Sequence, residues 1–363
     1  MTETTNTANP LPPRRPRAPK KVSRWTYVLV VLMFLFVSFS YYGYQIMYTS
    51  NVDKKNEPVY VLIPRGATYE QAMDSIDAKG VIIDKLSFRF MAKLMDYPEL
   101  VKPGRYELEP GLTNYQLISK LRLGEQDPVK LTYTNVRLKK DLAEKLSTFI
   151  DATPAEIDSL LSSPGYTQKL GFDTTTIMTM FIPNTYEIYW TTSAQDLMER
   201  MNKEYKKFWN EERRAKAEDV GLTPVKVSIL ASIVQAEQQQ HADERPKVAG
   251  VYLNRLKRGM PLEADPTVVY ANGDFSIRRV LNVHLKKDSP YNTYMYKGLP
   301  PGPINLPSIS SIDAVLNPEH HDYIYFCAKE DFSGYHAFAR TMPEHLQNAR
   351  RYQAALTQRN IMK

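Results

Sequence analysis

Charged and uncharged stretches divide the 363-residue chain before any single residue is weighed. From Trp25 to Val52 there is no Asp, Glu, Lys or Arg; Val28–Val37 is almost wholly apolar, and Tyr41, Tyr42, Tyr44 and Tyr48 follow. A helix of roughly 20 apolar residues spans the hydrocarbon core of a bilayer, and aromatic rings favour its two interfaces. The pattern predicts a transmembrane anchor over 25–48. A cleaved signal peptide competes, with Ser38-Phe39-Ser40 as its small-x-small site. The apolar stretch runs on past that site into an aromatic exit, which favours the uncleaved anchor. Further on, one pattern occurs twice. Tyr60-Val61-Leu62-Ile63-Pro64 precedes Gly66 and Thr68, then the helical spacing Ala72, Ile76. Tyr106-Glu107-Leu108-Glu109-Pro110 precedes Gly111 and Thr113, then Leu117, Ile118, Leu121. Each copy predicts a strand, a Pro/Gly turn, a Thr cap and a helix. Leu86 to Met95 adds a helical stretch between them.

Residues 131–222 alternate helical spacing with short turns. Leu138–Ile150 reads as a helix, Pro154 opens another, and Phe181-Ile182-Pro183-Asn184-Thr185-Tyr186 is extended. Thr223-Pro224 is a strong helix start, a capping hydroxyl followed by proline in the first turn. The stripe Val227, Leu230, Ala231, Val234 follows, and the same spacing next lands on Glu237. A second helix begins near Asp243 and Glu244, carries Val248, Val251, Tyr252 and Leu256, and stops at Gly259. Leu262–Tyr270 reads as extended, with Asp265 before Pro266. The predicted class is α+β.

The net charge of +7 is concentrated at one end: six basic residues stand against one acidic residue before Trp25, so five of the seven net charges lie there. A nucleic-acid protein places such an excess on its folded domain, so that class is excluded as the partner. Residues 1–24 are too poor in large apolar groups to offset their ordering entropy and read as a disordered tail. Their basic character puts the N-terminus in the cytoplasm and the rest outside. Cys327 is the sole cysteine, so no internal disulfide forms; in the run Tyr323–Ala328 it reads as a buried small residue.

Glu237 places a carboxyl where the pattern calls for an apolar side chain. Lost hydration raises a carboxyl pKa, and a raised pKa suits a general acid near neutral pH. The spacing equally permits a structural salt bridge to Arg245 or Arg255. Gln238, Gln239 and Gln240 read as polar residues facing outward, and Glu244 as a solvated residue at a helix start. Tyr291, Asn292 and Tyr294, beside the restricted loop Gly298-Leu299-Pro300-Pro301-Gly302-Pro303, suit sugar recognition or plain surface packing. Glu237, His241 and Glu244 stand at helical spacing and His320-His321 come later, which raises a metal hydrolase; no His-Glu-x-x-His motif supports it.

Several blocks in order carry a resemblance. They are Ile229–Val234 with Glu237, Glu244–Leu256, Gly259-Met260-Pro261-Leu262 with Asp265–Tyr270, Ser289–Tyr294 with Gly298–Ile304, and His336-Ala337-Phe338. Together they resemble the MltG (YceG-like) family of membrane-anchored endolytic murein transglycosylases, over about residues 130–352. The resemblance implies a tail over 1–24, an anchor over 25–48, a LysM-like subdomain over 53–128 and an α+β catalytic domain over 129–363. It implies cleavage of the MurNAc–GlcNAc bond of peptidoglycan without water, leaving 1,6-anhydro-MurNAc ends, with Glu237 as catalytic acid/base. Asp265, Thr267, Tyr291, Asn292 and Tyr294 are the implied substrate-binding residues, and no metal or cofactor is called for. Glycan strands are the implied partner, and peptidoglycan polymerases at the inner membrane a protein partner, with transglycosylation ending nascent strands. One departure is Gln235-Ala236-Glu237, where the family often has Glu-Lys-Glu. A hydrolytic muramidase using Glu237 with Asp265, and a non-enzymatic wall-binding scaffold, remain the alternatives.

Overall fold

The computed structural model describes residues 23–54, 57–134 and 136–359; residues 1–22 of the expected tail lie outside them. Ser23 caps helix α1 (Arg24–Tyr48), which is long and apolar enough to cross a membrane and has no buried residue. The chain divides into two compact units. The smaller gathers the described residues up to Val59, Thr68–Val101 and Leu108–Leu123; the larger gathers Tyr60–Ala67, Lys102–Glu107 and the chain from Gly124 on.

The repeated pattern of the sequence folds twice into the same local geometry. Strands β1 (Val59–Ile63) and β2 (Gly104–Leu108) pair in a two-stranded sheet. Each is followed by a glycine in the left-handed region, Gly66 at φ 72° and Gly111 at φ 88°, where only glycine sits without strain. Helices α2 (Tyr69–Asp77) and α4 (Asn114–Leu123) then begin with identical reciprocal caps. Thr68 Oγ1 accepts from the Gln71 N–H at 3.3 Å while Gln71 Oε1 accepts from the Thr68 N–H at 2.9 Å. Thr113 and Gln116 repeat this at 3.2 and 3.0 Å. Each pair satisfies two backbone donors at a helix start.

Between them lies α3 (Lys85–Leu94), capped by Asp84. Phe88 and Met91 of α3 are buried in the small unit's core with Val52, Met73, Ile76, Leu117 and Leu121. A polar knot crosses that core. Asn51 donates to Asn114 Oδ1 at 2.6 Å, and Asn114 donates to Ser87 Oγ at 3.1 Å and to the Ile46 carbonyl near the end of α1 at 2.8 Å.

The larger unit is mostly helical. Strands β3 (Val129–Thr132) and β4 (Thr185–Ile188) pair antiparallel, Leu131 opposite Tyr186. Between them run α5 (Lys139–Ser147), α6 (Pro154–Ser162) and α7 (Pro164–Leu170). Then come α8 (Ala194–Phe208), α9 (Glu211–Asp219), α10 (Pro224–Glu237), α11 (Arg245–Lys257), α12 (Asp265–Asn272), α13 (Asn282–Leu285) and α14 (Ile309–Leu316). The hairpin β5 (Tyr325–Ala328) and β6 (His336–Ala339) and helix α15 (Met342–Gln358) close it. Cys327 lies on β5, half-buried rather than fully so, and burial pushes its thiol pKa up.

Helix α10 is the axis of this unit. Thr223 caps it, Pro224 fills its first turn, and every residue from Val227 to Val234 is buried. It packs against α11, α12 and α14. One expectation is corrected: the segment after Leu262 is not extended but forms α12. Pro266 occupies the first turn, where its missing N–H would have had no helical partner, and Asp265 sits at the positive end of the helix dipole. Gly273, at φ 70°, ends it.

Candidate active site

Glu237 is the last residue of α10, and the next side chain explains why the helix stops. Gln238 is 2% exposed, not outward-facing. Its Oε1 accepts from the N–H groups of Gln240 and His241 at 3.1 and 2.9 Å. Its Nε2 donates to Glu244 and to the Gly334 carbonyl. The backbone is thereby turned sharply away from the helix. Arg245 completes the end: its Nε donates to the Gln238 carbonyl at 2.9 Å and its Nη2 to the Gln239 carbonyl at 3.3 Å. A cation here offsets the negative end of the helix.

The salt-bridge reading of Glu237 does not hold. Arg245 is committed to those carbonyls and to Ser310, and Arg255 pairs with Glu263. The partner of Glu237 is instead a neutral hydroxyl: Tyr252 Oη, on α11, donates to Glu237 Oε1 at 2.9 Å. Burial pushes the Glu237 pKa up to about 7; the Tyr252 bond pulls it down, nearby Asp265 pushes it up, and His336 pulls it down. Desolvation wins because one neutral donor cannot replace the hydration of a carboxylate. Tyr252 is raised well above the usual phenol range by the same burial and by the neighbouring carboxylate.

Glu237 opens onto a cleft of about 1150 Å³. Asp265, Tyr270, Arg137, Arg278 and Asn305 also line it. Its floor is held by α10. Ser232 Oγ accepts from the Ile304 N–H at 3.1 Å, and Asn305 Nδ2 donates to the Ser232 carbonyl at 2.8 Å. Gln235 faces the cleft as well, with Oε1 accepting from the Ser308 N–H at 2.7 Å and from Ser311 Oγ at 3.0 Å. An amide at this departure from the family pattern thus anchors the start of α14 without adding a titrating group.

The implied binding residues separate into two sets. Asp265 lines the cleft, and Tyr294 Oη donates to its Oδ1 at 2.7 Å. Tyr291 is half-buried against Tyr270, ring centroids 4.7 Å apart, and Tyr270 rather than Tyr291 forms the wall. Thr267 and Asn292 are fully buried. Thr267 Oγ1 lies 2.8 Å from Thr293 Oγ1, and Asn292 Nδ2 donates to the carbonyls of Leu285 and Lys287. They brace the loop from inside rather than meeting a ligand.

Glu244 is likewise no solvated residue. It is 7% exposed, accepts from the His336 N–H at 2.9 Å, and its Oε2 lies 2.7 Å from His336 Nδ1. Burial alone would raise its pKa, but the bonds from His336 and Gln238 outweigh it and the net shift is down. His241 stacks on Tyr335 with centroids 3.8 Å apart, and its Nε2 meets the Ser333 carbonyl. Among the described residues no group of three or more His, Cys, Asp or Glu is placed to hold a metal ion. The roles of Tyr252, Arg245 and the Glu244–His336 pair escaped the sequence reading. For Tyr252 the signal was a hydroxyl inside an apolar stripe, which periodicity counts as core.

Comparisons with known proteins agree with one another. A profile of the YceG-like family matches residues 61–351. The endolytic murein transglycosylase of Bacillus subtilis is 29% identical over 330 residues, which is 86% of this chain and 89% of that protein. The Streptococcus pneumoniae serotype 2 protein of the same name is 28% identical over 82% of this chain, but the match spans only 60% of that longer protein. A crystal structure of a yceG-like protein from Listeria monocytogenes superposes with a TM-score of 0.55 at 28% identity, covering 80% of this chain and 98% of that one.

Proposed function

Since the chain belongs to the YceG-like family, we propose that it is an endolytic lytic transglycosylase of peptidoglycan, with Glu237 as its single acid/base. The observation that carries this reading is the placement of Glu237: a carboxyl hydrogen-bonded to Tyr252, raised by burial to a pKa of about 7, on the wall of a cleft of about 1150 Å³. Such a group is half protonated near neutral pH and can serve in both directions. In the first step protonated Glu237 gives its proton to the glycosidic oxygen, the C1–O bond of MurNAc breaks, and the GlcNAc chain leaves as an alcohol. The cation developing at C1 is shielded by the sugar's own N-acetyl oxygen. In the second step carboxylate Glu237 takes the proton from the C6 hydroxyl of the same MurNAc, whose oxygen bonds to C1. The proton count closes, no water is used, and an anhydro end results.

The Tyr252 hydrogen bond favours the carboxylate reached midway, and Asp265, held by Tyr294, orients the sugar. Helix α1 anchors the chain in the cytoplasmic membrane with the catalytic unit outside, the small unit acts as a LysM-like module on the glycan, and the cut ends nascent strands beside the polymerases that make them. Asp265 also favours a second reading: it shares the cleft and lies near enough to raise Glu237, so a two-carboxylate hydrolysis competes. Mass spectrometry of products from purified glycan strands decides. Anhydro ends support transglycosylation; products heavier by one water support the hydrolase; an uncut glycan supports a scaffold.

A further inference from the structure

Helix α3 has two apolar faces, and the fold covers one. Phe88, Met91 and Ala92 are buried, whereas Leu86, Phe90 and Leu94, spaced four apart, are 82%, 58% and 63% exposed. Ile83, just before the helix, is 65% exposed. Single exposed apolar residues are ordinary on a protein surface, but a row along one helix marks a surface with a partner. Exposed Lys93 lies on the same side at helical spacing from Phe90.

Helix α1 indicates what that partner is. It belongs to the same compact unit and touches both α3 and α4. Gly43, Ile46 and Met47 are the half-shielded positions near its end, spaced three and four apart, while Tyr41, Tyr42, Tyr44 and Tyr48 stay exposed. The contact is a fixed one, because Asn114 bonds at once to the Ile46 carbonyl of α1 and to Ser87 of α3. At 1.5 Å per residue a helix of 25 residues is about 37 Å long, against about 30 Å of hydrocarbon. Its tyrosine-rich end therefore lies at headgroup depth, and α3, tied to that end, lies there with it. A helix at that depth with an apolar outer row and a lysine on the same side matches the pattern of an interfacial helix, the lysine stem reaching up to lipid phosphates.

We propose that the Ile83, Leu86, Phe90 and Leu94 face of α3 is a membrane-docking surface, sunk into the headgroup–acyl boundary of the bilayer that α1 enters. The proposal rests on α1 spanning that bilayer, and the test separates the two. The full-length chain carrying Cys327→Ala receives one nitroxide spin label at a time, through Phe90→Cys, Met33→Cys or Glu211→Cys. Each is reconstituted in vesicles of phosphatidylethanolamine and phosphatidylglycerol, and label accessibility to oxygen and to a water-soluble nickel chelate is read by EPR. The expected result is a label at Phe90 that is accessible to oxygen and shielded from nickel, as at Met33 and unlike Glu211. If Met33 lies in lipid but Phe90 is as open to nickel as Glu211, docking is overturned and the anchor stands. If Met33 itself is open to nickel, the anchor fails and docking fails with it. A Phe90 label shielded from both reagents identifies a protein partner and overturns a lipid one.

Discussion

A carboxyl that is comfortable protonated in the fold and ionised in the unfolded chain leaves a mark on stability as well as on rate. The Glu237 pKa rises from its ordinary 4.5 to about 7. Its favourable contribution is therefore fully present below the unfolded pKa and is lost as pH rises through the folded one. Glu237→Gln removes that loss. Denaturant titrations should show the variant gaining on the parent as pH rises from about 4.5 to about 7, by up to about 3 kcal/mol, and holding that gain above. Its turnover should fall by roughly 100- to 10,000-fold, the usual worth of acid–base catalysis. Tyr252→Phe is a finer probe. The phenol bond stabilises the carboxylate, so its loss should raise the Glu237 pKa and move the alkaline limb of the pH–rate profile upward; an unmoved limb would show that the bond does not act on the titrating form. The burial of Glu237 was readable in sequence because a carboxylate on an apolar stripe is an anomaly, while the stripe alone left a salt bridge open and the resemblance implied the acid/base role. Tyr252 was not, since its ring satisfies the stripe and hides the hydroxyl. Thr267 and Asn292 differ in the opposite sense: polar residues that the sequence offers as ligand contacts are buried and bonded to nearby backbone carbonyls.

At the level of elements, the end of α10 and the β5–β6 hairpin are joined through a buried polar chain, Gln238 to Glu244 to His336. Glu244→Gln keeps the shape but withdraws charge from bonds that depend on it. Charge-assisted bonds contribute about 1.5–3 kcal/mol each, so thermal melting should show a clear loss of stability, in contrast to Glu237→Gln at the same pH. The depressed Glu244 pKa means its contribution is present above the unfolded value and is lost as pH falls through the folded one. The two variants should therefore differ most at neutral pH and converge in acid. The repeated Thr-x-x-Gln starts of α2 and α4 were legible because capping is local chemistry. Helix α12 was not, because Asp-Pro reads as extended unless the proline falls in a first turn, and that depends on where Leu262 and Ala264 are buried.

Across the whole molecule, contiguous sequence and compact structure part company. A boundary near residue 128 suggests itself from the chain, yet Tyr60–Ala67 and Lys102–Glu107 belong to the larger unit. There Arg65 donates to the Thr191 carbonyl and faces Asp151, and Gln126 meets Thr191. These contacts join residues far apart in sequence, which periodicity does not register. A fragment starting at residue 124 should accordingly unfold at a lower urea midpoint than one starting at residue 57, even when monitored by Trp209 in the core of the larger unit. Equal midpoints would mean that Tyr60–Ala67 and Lys102–Glu107 add nothing to that unit.

Helix α10, buried from Val227 to Val234 and ending at Glu237, has a consequence in time rather than in space. Its central amides have no route to water short of opening the core around them, so their exchange with deuterium should proceed at the rate of global unfolding. The proposed acid is thus fixed to a helix that opens only with the core of the larger unit. Heat should abolish activity and melt the larger unit at one temperature, with no interval in which that unit is folded but has lost its reactive carboxyl.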